Sequence, residues 1–217
     1  INKMKLKTKE IAKSYISYST IQQYIFSELI TTLLKNKQIP KKILDLGCGP
    51  GQNTALLKTI YPSAHITGID QNKAFINNAK LNYPWIQFIH NNIQTHPFEK
   101  SHDLIISNAV LQWIKNPKEI LKKIHTHLNK NGLFIASIFG PKTYHELNTI
   151  LKKEEQIQIA ANQFHRKPFW LTNLKKEFSS VSLKEFIIHT PYPSLLHLLQ
   201  TIKHTVTNQN NNQKKIW

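Results

Sequence analysis

The stretch ILDLGCGPG (Ile43–Gly51) constrains this 217-residue chain more than any other, because it sets three glycines between an apolar, β-prone run and a helical one. Glycine turns the chain tightly, lets a ligand approach the backbone, and exposes N–H groups at a helix N-terminus, where a carboxylate or phosphate is favoured. Gly47, Gly49 and Gly51 therefore read as a loop for a nucleotide-like ligand, with Cys48 a small residue packed in the turn. The dinucleotide pattern G-x-G-x-x-G does not fit. The third glycine comes one residue early, and Gln52 stands where that pattern wants glycine.

Two acids sharpen the reading. A carboxylate at Asp45, just before the first glycine, would repel a pyrophosphate and suits an amino-acid ammonium. Asp70 closes the run ITGID, 19 residues beyond Gly51 and beside Gln71, where an acidic side chain can take both hydroxyls of a ribose. Around these motifs short β-rich runs alternate with helical ones: strands at 42–46, 65–69, 86–90, 103–107 and 132–139, helices at 53–60, 73–81 and 117–128. Such alternation demands right-handed crossovers and a parallel sheet with helices on both faces, and it puts ligand chemistry in the loops after the strands. Upstream, apolar residues from Ile11 to Leu33 recur at helical spacing, predicting one or two amphipathic helices before Pro40.

Composition removes several classes. No apolar run approaches the roughly 20 residues that cross a bilayer, and the N-terminus lacks a signal peptide's apolar middle, so the expectation is a cytoplasmic chain without a membrane partner. The net charge of +17 suggests nucleic acid, yet Arg166 is the sole arginine and the excess is lysine amid abundant Asn and Ile, as an AT-rich gene would give. Nucleic-acid enzymes favour arginine's planar fork, so an acidic protein is the better-fitting partner. The scattered histidines show neither metal-ligand spacing with a cysteine nor a triad arrangement, and no metal is expected.

The pattern D-x-G-x-G-x-G with an acid ending the second strand resembles class I methyltransferases, which use S-adenosylmethionine. The resemblance implies an α/β Rossmann-like sandwich with a mostly parallel, seven-stranded type of sheet. It implies that Asp45 and the loop hold the cofactor's methionyl end, Asp70 its ribose, Asn92 and Ile93 its adenine, and Asn108 its methyl side. SNAVLQW (Ser107–Trp113) is similar to a segment of two carboxyl O-methyltransferase groups, the malonyl-acyl carrier protein and the trans-aconitate enzymes. FGPKTYHEL (Phe139–Leu147) and YPSLLHLLQTIK (Tyr192–Lys203) resemble the malonyl-acyl carrier protein family of biotin synthesis. Ala12, Tyr15 and Gln22 match that family's N-terminal segment, although Ile16 replaces its acid.

On that resemblance Tyr15 and Gln22 join the cofactor set, and Gln112, Trp113, Phe139 and Tyr192 face the acceptor. Arg166 is expected to orient the acceptor's carboxylate, its fork matching that group. The predicted product is a malonyl methyl ester. Small-molecule carboxyl methylation of the trans-aconitate type and a truncated inactive copy remain open alternatives, as does RNA methylation on charge alone. We expect one domain, acting as a monomer: a helical cap at 1–38, a cofactor core at 41–140, a helical insert at 141–176, a strand and helix at 177–205, and a frayed tail at 206–217. The family's last strand is expected to be missing.

Overall fold

A computed structural model describes residues 2–99, 101–155 and 160–205. Five strands, β1 (Lys42–Leu46), β2 (His65–Asp70), β3 (Gln87–His90), β4 (His102–Asn108) and β5 (Leu128–Ser137), form one sheet in the order β3-β2-β1-β4-β5. Every pairing is parallel. The order reverses at β1, which pairs Leu46 with Ile69 on one side and Asp45 with Ile106 on the other. The carboxyl ends of β1, β2 and β4 thus gather at the switch point where α/β sheets bind ligands.

The central strands are apolar at consecutive positions because both faces are covered. Ile43, Leu104 and Ile106 join one core with Phe26, Leu29, Ile30 and Leu33 of α2 (Thr20–Lys35), Leu57 of α3 (Gln52–Ile60) and Ile76 of α4 (Lys73–Asn82). Leu44, Leu46 and Ile105 point the other way, onto Ile120, Leu121 and Ile124 of α5 (Pro117–Thr126) and Trp170 of α7 (Lys167–Glu177). Helix α1 (Asn2–Tyr18) packs on α4 and on α8 (Leu195–Thr205) instead of on the sheet. Its Tyr18 stacks on His204 of α8, with ring centroids 4.8 Å apart, and donates to Gln200 Oε1. α6 (His145–Glu155) and a 3-10 turn at Ala160–Gln163 make up the insert.

Three expectations change. The sheet has five strands among the described residues, not a seven-stranded arrangement, and none is antiparallel. The strand expected within 177–205 does not form: residues 181–193 run without regular pairing, although Phe178 stacks on Phe134 and Leu183 reaches the second core. The strand predicted at 132–139 starts earlier, at Leu128, and ends at Ser137. The tail at 206–217 lies outside the described residues. No helix among those described is long and apolar enough to cross a membrane.

Candidate active site

The glycine loop earns its composition residue by residue. Gly47 lies at φ +79°, and a Cβ there would come within 2.2 Å of Val110 Cγ2. Gly49, at φ +57°, meets only the ring of Tyr15 at 3.9 Å, so its backbone is bare toward the cavity beside it. The loop is pinned from β2, because Gly47 and Cys48 donate backbone N–H groups to Ile69 O, and Gly49 donates to Asp70 Oδ2 at 2.9 Å. Asp70 Oδ1 accepts the N–H of Asn72 at 2.7 Å, and Asn72 Oδ1 caps α4 through the N–H groups of Ala74 and Phe75. Burial pushes the Asp70 carboxyl up from its ordinary value, while the N–H groups of Asn72 and Gly49 pull it back down. Ionised, it keeps lone pairs for a ligand's hydroxyls.

Around this loop opens a cavity of about 170 Å³. Its polar half is walled by Tyr15, Gln22, Gly47, Gly49, Asp70, Gln71, Asn72, Asn92, Gln94 and Asn108, with Phe75 and Ile93 among them. Its other half is mostly apolar: Trp113, Phe139, Tyr144, Ala161 and Phe164 share one cluster, Ile114, Leu147, Ile202, Thr143 and Thr205 also line the cavity, and Val110 stands against Gly47. Trp113 and Phe164 meet edge to face, ring centroids 4.9 Å apart. Asp70 is the only charged residue among the described residues that line it.

Several wall groups are already engaged. Asn108 donates through Nδ2 to Gln22 O at 2.9 Å and accepts from Ser137 Oγ at 2.6 Å, tying α2 to the ends of β4 and β5. Ala109 takes a left-handed backbone, φ +57°, held by N–H bonds to Ser137 O and Oγ. Asn92 Oδ1 accepts the N–H of Gln94, so the oxygen expected to meet an adenine amine is partly occupied by its own turn. Gln112 Nε2 donates to Ala109 O at 2.8 Å, but its buried Oε1 has no partner among the described residues. A bare acceptor in a pocket wall marks where a ligand donor belongs. Burial beside Asp70 raises the Tyr15 phenol, and burial beside Tyr192 pushes Tyr144 up to about 12; both are neutral donors at pH 7.

Five expected site residues lie elsewhere. Asp45 is 2% exposed and outside the wall, where Thr54 Oγ1 donates to its Oδ2 at 2.7 Å; burial and nearby Asp70 raise its carboxyl to about 7, against the pull of Thr54. Cys48 packs beneath the loop against Gly68, and Gly51 faces Ala79 and Phe88. Arg166 precedes the first turn of α7 and points to solvent. Tyr192 lies near enough to Tyr144 to raise its phenol but does not line the cavity. Conversely, Tyr144, Thr143, Phe164, Ile202 and Thr205 were not expected there.

Residues 44–136, the loop, β2 to β4 and most of β5, match the methyltransferase domain family. That segment belongs to the family. A malonyl-[acyl-carrier protein] O-methyltransferase of Bacillus anthracis is 36% identical over 156 residues, covering 68% of this chain and 57% of that protein. Those of Halalkalibacterium halodurans and Bacillus cereus are 31% identical over 185 residues and 28% over 210, covering 77% and 92% of this chain and 66% and 78% of theirs. The chain thus spans little more than half the length of the first relative. Among solved structures, the plantazolicin methyltransferase BpumL in complex with SAH aligns with a TM-score of 0.54 at 20% identity, covering 79% of this chain and 82% of that one. An S-adenosylmethionine-dependent methyltransferase of Clostridium acetobutylicum aligns at 0.53 and 19%, covering 61% and 58%. At these identities the likeness concerns the fold of this methyltransferase domain.

Proposed function

We propose that this chain transfers a methyl group from S-adenosylmethionine to the free carboxylate of malonyl-acyl carrier protein, acting as a cytoplasmic monomer and supplying the ester from which biotin's pimeloyl chain is built. The observation that carries the choice of acceptor is the apolar half of the cavity, aromatic-walled and without a cationic side chain among the described residues lining it. A malonyl thioester brings one carboxylate, and methylation removes its charge. A tricarboxylate would leave two more charges against a wall that cannot pair them, which is costly. The names of the relatives support the same acceptor.

S-adenosylmethionine, when bound, supplies an electrophilic methyl on a sulfonium. Of this chain's residues, Asp70 would take the ribose hydroxyls, Asn92, Ile93 and Gln94 the adenine side, and Gly47 and Gly49 with Gln22 and Asn108 the methionyl end. The bare Gln112 Oε1 suits a donor of either ligand. An acceptor carboxylate, with an intrinsic pKa of about 4, is ionised at pH 7 and needs no base. What remains is positioning, for which the Tyr15 and Tyr144 hydroxyls and the aromatic wall are suited, the wall also keeping water out. Lys142, Arg166 and Lys167 are exposed and lie within three residues of the wall residues Thr143 and Phe164, cations that would steer an acidic carrier.

Incubation with methyl-labelled S-adenosylmethionine and either malonyl-acyl carrier protein or trans-aconitate tests the reading. Base-labile label on the carrier is expected; label in the free tricarboxylate alone would overturn the assignment.

A further inference from the structure

The wall residues Asn92, Ile93 and Gln94 sit on a tight turn after β3. The turn is folded on itself: Asn92 O accepts the N–H groups of Thr95 and His96, and Asn91 Nδ2 lies 3.0 Å from His96 Nδ1. This leaves three carbonyls, those of Ile93, Gln94 and His96, directed at one spot. Lys123 of α5 fills it. Its Nζ donates to Ile93 O at 3.0 Å, to Gln94 O at 3.2 Å and to His96 O, and lies 4.0 Å from the centroid of the Phe98 ring.

An ammonium carries three N–H donors and no acceptor, so three converging carbonyls use its whole capacity. Charge-assisted bonds of this kind are about twice as strong as neutral ones. Lys123 is half-buried, and burial draws its ammonium below the ordinary lysine value. Burial and the Lys123 charge lower His96 as well, favouring a neutral ring whose nitrogen faces Asn91.

We propose that Lys123 is a positioning residue of the cofactor site, clamping the 92–96 turn in the shape that presents Asn92, Ile93 and Gln94 to the cavity. It lines no part of the cavity itself. The inference rests on the cofactor reading given above, and it assigns the adenine-side wall a support on the far face of the turn.

Three variants test it in the full chain. Lys123→Met keeps the stem over Phe98 and removes the ammonium, Lys123→Arg restores charge and part of the donor set, and Lys122→Met alters an exposed neighbour. Amide hydrogen exchange over residues 91–98 without ligand, and calorimetry with S-adenosylhomocysteine, are the readouts. Lys123→Met is expected to raise exchange in that segment at least tenfold and weaken S-adenosylhomocysteine about tenfold, with kcat at saturation within twofold of the parent. Lys123→Arg is expected to recover most of the affinity, and Lys122→Met to match the parent. Unchanged exchange in Lys123→Met, or a rise spread evenly over the domain, overturns the proposal. If the parent itself fails to bind S-adenosylhomocysteine, the cofactor reading falls, while the exchange data still judge the clamp.

Discussion

Asp70 and Gly49 are joined by a 2.9 Å hydrogen bond from the glycine's N–H to the acid's Oδ2, so the residue that ends β2 also sets the loop that follows β1. The second oxygen takes the N–H of Asn72 and thereby fixes the start of α4. Asp70→Asn would set an amide N–H₂ against one of these two donors. We expect a loss of about 1–3 kcal/mol in stability for one unsatisfied buried bond, together with at least a tenfold loss of S-adenosylhomocysteine affinity. Denaturant titration and calorimetry measure the two; full affinity in the variant would contradict the role given to this acid.

Asp45 makes stability depend on pH. Its folded carboxyl titrates near 7, well above the unfolded value, so the native state holds the extra proton between those limits. Stability from this group is therefore whole below about pH 4, falls as pH rises through the window, and is flat again above about 7. Asp45→Asn keeps an acceptor for Thr54 and removes the ionisation. The variant should gain on the parent by on the order of 2–4 kcal/mol between pH 4 and 8, as read by urea denaturation at several pH values. A difference independent of pH would refute the burial argument.

Gly47 and Gly49 should fail differently. Alanine at 47 drives its Cβ into Val110 in a left-handed backbone, a cost of about 2–4 kcal/mol from strain and overpacking. Alanine at 49 meets only the Tyr15 ring, so strain of about 1 kcal/mol is expected, with most of the damage in ligand affinity because the methyl stands at the cavity. Thermal unfolding paired with calorimetry separates them.

Trp113→Ala opens the apolar half and removes the edge-to-face partner of Phe164. KM for the malonyl carrier should rise at least tenfold while S-adenosylhomocysteine binds within about threefold of the parent. A variant that lost both equally would show that the two halves of the cavity do not act separately.

The cofactor half was the more legible in the sequence because its chemistry is local. Glycines at fixed spacing, and acids at the ends of apolar runs, announce where strands stop and which backbone is bare. Asp45 shows where such reading stops: its spacing is that of a ligand residue, and only the packing of α3 shows that Thr54 donates to its carboxylate. In the acceptor half, the Arg166 fork suits a carboxylate, and chemistry does not say which way the first turn of α7 faces. Tyr144 and Phe164 come together only in the folded insert, in a cluster with Trp113 and Phe139, and Ile202 reaches the wall from an amphipathic helix whose spacing looks like ordinary core. Lys123 is one lysine in a lysine-rich chain, distinguished only by the three carbonyls that meet it.

The N-terminal segment, expected as a cap of one or two helices, forms two, divided at buried Ser19. Helix α2 supplies Phe26, Leu29, Ile30 and Leu33 to the first core and hangs by its Gln22 carbonyl from Asn108. Among the described residues, helix α1 contributes to neither of the two large cores, and its share of the cavity wall is Tyr15. A chain beginning at Thr20 would keep every residue of the sheet, both large cores, the glycine loop and Asp70, and would lose Tyr15 with its ring contact to Phe75 and the Tyr18 contacts that hold α8, the helix that brings Ile202 and Thr205 to the wall. The stretch before Ser19 thus acts as a late addition to a site whose other described wall residues all follow it: one ring laid against a cavity that the rest of the sequence builds.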